Sequence, residues 1–121
     1  MVEESDAHST AWVDTLVAIP LRFHDSERSI RELFVSARPD LSDRNRFVTT
    51  VAERLRAEPT LIDAWQQFSY DNRGTPSPYL AGVEVGLYDR GRRDVARHTE
   101  RANACADFIF RKAEQLFGAG Q

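Results

Sequence analysis

A chain of 121 residues with 41% apolar side chains and a net charge of −3 suits one domain with a real core, and it lacks the overall positive charge that draws a protein to nucleic acid. The longest apolar stretch, Val13 to Leu21, is broken by Asp14 and Pro20 and is too short to span a bilayer, and the acidic start Met1 to Asp6 is unlike a basic secretory leader. The one cysteine, Cys105, cannot form an internal disulfide, which points to a reducing, cytoplasmic setting.

Helical spacing of Trp12, Val13, Leu16 and Val17 predicts a first helix over Ser9 to Ile19, stopped by Pro20. A second is expected over Ser26 to Ala37, with Ser26 as N-cap and Ile30, Leu33, Phe34 and Ala37 as its buried stripe. Pro39 ends it. Ser42 or Asp43 opens the third helix, which buries Phe47, Val48, Val51, Ala52 and Leu55. Pro59 closes that helix and opens the fourth, whose stripe is Leu61, Ile62, Trp65 and Phe68.

Asn72 to Pro78 carries a glycine and two prolines and breaks the helical pattern. Alternation comes next: Val83, Val85 and Leu87 against Glu84, Gly86 and Tyr88, then Asp89-Arg90-Gly91 as a turn and Arg93 to His98 as the return strand. This reading places Gly82 and Gly86 inside a strand. A three-residue loop pairs Tyr88 with Arg92, Leu87 with Arg93, Val85 with Val95, Glu84 with Ala96 and Val83 with Arg97. It sets two β-branched residues opposite each other, at the cost of placing Arg93 and Arg97 on the apolar side. A two-residue loop would pair Val95 with Gly86 instead. Thr99 is the expected N-cap of the last helix, with Glu100 in its first turn. Ala102, Cys105, Ala106, Phe108, Ile109, Phe110, Ala113, Leu116 and Phe117 cover more than half of that helix's circumference, so it is the central one. Asp107 and Arg111 are read as a pair on its polar face.

The predicted fold is therefore α+β and mostly helical: about four N-terminal helices, a β-hairpin, then a long central C-terminal helix. One domain spans residues 1–121, with 1–8 and 118–121 as frayed ends.

Motifs for chemistry are sparse. His98 and Cys105 stand seven apart, but no CxxC, HxxxH or HExxH spacing accompanies them, and His8 and His24 lie elsewhere, so no metal site is expected. Cys105 lies in the apolar arc as a small core residue. No GxSxG, GxxxxGK[ST] or GxGxxG occurs, and no cofactor is called for.

Two regions remain as contact candidates. The hairpin and the first residues of the last helix concentrate Arg90, Arg92, Arg93, Arg97 and Arg101, with Tyr88 and His98 interleaved. The loop Arg73 to Tyr79, stiffened by two prolines, either displays Tyr79 or tucks it onto the core. The partner-binding set is accordingly Arg73, Tyr79, Tyr88, Arg90, Arg92 and His98. Small size, net acidity, the lack of catalytic motifs and a hairpin with an unpaired edge favour a non-enzymatic protein-interaction domain, such as an immunity- or antitoxin-like neutraliser or an accessory subunit. The expected partner is another protein rather than nucleic acid or a membrane, with homo-oligomers through the hairpin edge as a further form. The alternative is a small-ligand or catalytic domain with a pocket between hairpin and helices.

Overall fold

The structure, a computed structural model, describes residues 11–23, 29–71 and 76–118. Helix α1 covers residues 11–17 and buries Val13, Leu16 and Val17. The chain turns at Ala18 and continues as α2, Ile19–Phe23. Pro20 therefore does not stop the helical run. It sits in the first turn of α2, where its missing N–H would be unpaired in any case, and it is buried there.

Helix α3, Ile30–Ala37, starts from Ser29 in a reciprocal capping box: Ser29 Oγ accepts from the Glu32 N–H at 3.2 Å, and Glu32 Oε1 accepts from the Ser29 N–H at 3.0 Å. The expected cap Ser26 lies outside the described residues. Arg38 ends α3 in the left-handed region, just before Pro39. Asp43 caps α4, Arg44–Ala57, and α5, Thr60–Asp71, begins directly after Pro59 as expected. Helix α6, Arg101–Gly118, begins after Glu100, whose carbonyl accepts from the Ala104 N–H, so Thr99 is not its cap.

Where a hairpin is expected, the sheet has three antiparallel strands in the order β1-β2-β3: β1 Ser77–Ala81, β2 Glu84–Tyr88 and β3 Arg92–Arg97. Pro78 masks β1 in the sequence, but an edge strand tolerates proline. Gly82, expected within a strand, is the first central residue of the two-residue turn between Ala81 and Glu84, at φ +66°.

The register holds near the second turn, where Tyr88 faces Arg92 and Leu87 faces Arg93, and then shifts by one across a bulge. Beyond it Val85 pairs with Ala96, not Val95, and Glu84 with Arg97, not Ala96. Asp94 in the left-handed region (φ +50°) supplies the extra residue. The shift resolves the weakness of the unbulged pairing for Arg97, while Arg93 stays opposite Leu87. Small Ala96 takes the place opposite buried Val85, Arg97 moves to Glu84, and Val95 is left 46% exposed.

The fold is α+β and mostly helical, with α6 at its centre, packed by α3, α4, α5, β1 and β2. Phe34, Phe47, Trp65, Phe108 and Ile109 are almost wholly buried around it. Trp65 Nε1 donates to the Val17 carbonyl at 3.0 Å, which satisfies a buried donor and ties α5 to α1. Among the described residues, no helix is long and apolar enough to cross a membrane.

Candidate functional site

Two polar clusters are built on opposite sides of the sheet. The first centres on Asp107, which sequence reasoning places on a polar face but which is only 1% exposed. The crossing of α6 with α4 and the end of β3 brings three basic side chains to it. Arg44 Nη2 donates to Oδ1, Arg111 Nε donates to Oδ1 at 3.1 Å, and His98 Nε2 lies 2.9 Å from Oδ2. Opposite an ionised carboxylate, which only accepts, Nε2 is the donor of this bond. A buried carboxylate is tolerable here because both of its oxygens meet donors. Arg111 also donates through Nη1 to the Asp94 carbonyl at 2.9 Å, which anchors the β-bulge to α6. Arg44 lies over the Phe110 ring, 5.5 Å from its centre.

Beside this cluster, between sheet and helices, lies a pocket of about 330 Å³ lined by Arg44, Leu87, Asp94, Arg111 and Glu114. The signal that could have found Asp107 is its place in the run Ala104 to Phe110: a lone acid among buried apolar neighbours needs basic partners.

The second cluster lies on the outer face of the sheet. Tyr79 is not displayed; it is 2% exposed, its ring laid across Gly86, with Arg92 stacked 5.2 Å above it. Its hydroxyl donates to Glu84 Oε2 at 2.6 Å, and burial together with that bond pushes the phenol up to about 12. Arg92 and Arg97 donate to Glu84 at 2.8 and 3.2 Å. The bond from Tyr79 holds the Glu84 carboxyl below its ordinary range, and the two arginines add to the effect.

Of the expected contact residues, the structure brings Tyr79 and Arg92 together around Glu84 and sets half-buried Tyr88 opposite Arg92. Arg90 is exposed at the turn tip with φ +58°. His98 belongs to the Asp107 cluster, not to the outer face. Arg73 lies outside the described residues, as do His8 and His24. Cys105 is fully buried, and desolvation raises its thiol pKa far above the ordinary value, so it stays protonated. Among the described residues, no group of three or more His, Cys, Asp or Glu side chains could hold a metal ion.

The two edges of the sheet differ. The β1 edge is sealed: Gln66 Nε2 donates to the Leu80 carbonyl, Ser69 Oγ accepts from the Leu80 N–H at 2.9 Å, and Gln115 Nε2 donates to the Pro76 carbonyl at 2.9 Å. In β3 every residue except Ala96 is exposed. Arg90 and Arg93 have no ion-pair partner among the described residues. Comparison with protein-family models, curated proteins and solved structures finds no match to this chain.

Proposed function

We propose that this chain is a non-enzymatic protein-interaction domain, in the manner of an immunity- or antitoxin-like neutraliser or an accessory subunit, whose contact surface is the β3 edge with its preceding turn. The observation that carries the reading is the asymmetry of the sheet: helix side chains bond backbone groups of Pro76 and Leu80 along the β1 edge, while β3, apart from the Asp94 carbonyl that Arg111 holds, is left exposed. Arg90, Arg92, Arg93 and Arg97 stand there against Asp89, Asp94 and Glu84, a local positive excess in a chain of net charge −3. An acidic segment of another protein suits this surface best. A second copy of the chain suits it less well, because edge-to-edge pairing sets arginines against arginines across a bulged strand. A cytoplasmic setting is in keeping with a single buried cysteine.

The test is parallel affinity capture from the native host with wild type and the double variant Arg90→Glu/Arg93→Glu, with captured proteins identified by mass spectrometry. Neither side chain holds the fold together among the described residues, so the variant should keep its circular dichroism spectrum and lose the captured partner. A partner retained equally by both proteins, or none captured by wild type, would overturn the reading. A small-ligand site is the second reading, favoured by the pocket lying between sheet and helices.

A further inference from the structure

The pocket beside Asp107 has a charge pattern that narrows its ligand. Its arginines do not pair with its acids. Arg44 and Arg111 both turn toward Asp107, while the exposed residues Asp94 and Glu114 have no ion-pair partner among the described residues. Five guanidinium N–H groups are available on each arginine, and the bonds to Asp107 and to the Asp94 carbonyl use one on Arg44 and two on Arg111. The pocket thus keeps unspent donors of positive charge, unspent acceptors of negative charge, and one apolar side chain, Leu87.

A simple anion would meet Asp94 and Glu114; a simple cation would meet Arg44 and Arg111. A molecule with separate ends of opposite charge satisfies both sets. We infer that the pocket between the sheet and helices α4 and α6 binds a small zwitterion, a free α-amino acid, with its carboxylate on Arg44 and Arg111, its ammonium on Asp94 and Glu114, and its side chain against Leu87. The buried Asp107 holds both guanidiniums in place before the ligand arrives, which lowers the ordering cost of binding. The pocket is open to solvent, and its volume, about 330 Å³, leaves room for a ligand as small as an amino acid. The inference gives a ligand class to the pocket reading; it shares Asp94 with the β3 contact surface but does not depend on Arg90 or Arg93.

The test is isothermal titration of the intact chain with L-leucine, L-phenylalanine, L-glutamate and L-arginine at millimolar concentrations. The one-ended analogues of leucine, 4-methylpentanoate and 3-methylbutylamine, are titrated alongside. At least one amino acid should bind, and the one-ended analogues should bind about tenfold more weakly or worse, because each forfeits one set of charge-assisted hydrogen bonds. The double variant Asp94→Asn/Glu114→Gln should weaken amino-acid binding and leave binding of 4-methylpentanoate undiminished. Asn tolerates the left-handed backbone at position 94, so the bulge survives the change. Absence of heat with all four amino acids would overturn the inference. So would an analogue that binds as tightly as leucine, or an unchanged affinity in the double variant. None of these results would bear on capture of a protein partner through Arg90 and Arg93.

Discussion

Asp107 shows how one residue decides the local architecture. Its carboxylate joins α4, α6 and the end of β3 through Arg44, Arg111 and His98, and it has almost no contact with water. Asp107→Ala should cost roughly 2–3 kcal/mol, since charge-assisted bonds are lost while half-exposed Arg44 can still turn to solvent. An unchanged urea midpoint would remove Asp107 from its structural role. Tyr79 gives a second expectation. An unfolded phenol ionises near 10 and the folded one near 12, so the fold keeps this proton longer. Its contribution to stability is whole below pH 10 and is lost as pH rises toward 12. Ultraviolet titration should show a late-ionising phase, and Tyr79→Phe should abolish it.

At the scale of elements, the β-bulge is the informative feature. Strict alternation along Val83 to Val95 predicts a plain hairpin; the sheet departs from it where Gly86 meets Asp94 and Val95. Gly86 is required there for space. A Cβ would lie 2.8 Å from Tyr79 Cε2 and 2.9 Å from the Arg93 carbonyl oxygen, and the latter is backbone that cannot swing aside. Gly86→Ala should therefore destabilise the domain by about 1–3 kcal/mol, read as a lower midpoint in thermal or urea unfolding. A neutral substitution would mean that the Tyr79 ring does not rest on the strand. Helix stripes were legible because each helix needs only its own period, as with Leu61, Ile62, Trp65 and Phe68 in α5. Strand β1 was not, because buried Ser77, Pro78, Tyr79 and Leu80 show no alternation and include a proline.

The molecule as a whole is organised around α6, which is touched on several sides as its wide apolar arc implies. Ile109 is fully buried on that helix, so Ile109→Ala should cost roughly 2–5 kcal/mol by leaving a cavity at the centre. Cys105, one turn earlier and equally buried, should resist thiol reagents in native buffer and react on unfolding. Rapid labelling of the native protein would contradict this packing. At this scale the sheet acquires its polarity as well. Gln66, Ser69 and Gln115 close one edge; Gln115 is itself held by Lys112, whose burial pulls its ammonium pKa below the ordinary value.

Local period and composition, carried by the chain itself, determined the mostly helical α+β class, the stripes of α3 to α6, the central place of α6 and the turn at Asp89 to Gly91. These are properties of neighbours within a few residues, where spacing alone says which side chains share a face. Only the tertiary structure decided that Asp107 is buried, that Arg97 rather than Ala96 meets Glu84, that Tyr79 packs against Gly86, and which sheet edge is more exposed. Each depends on partners far apart in the chain, such as Arg44 with Asp107 or Ser69 with Leu80, and a charge or an edge strand has no local period that reveals what will cover it.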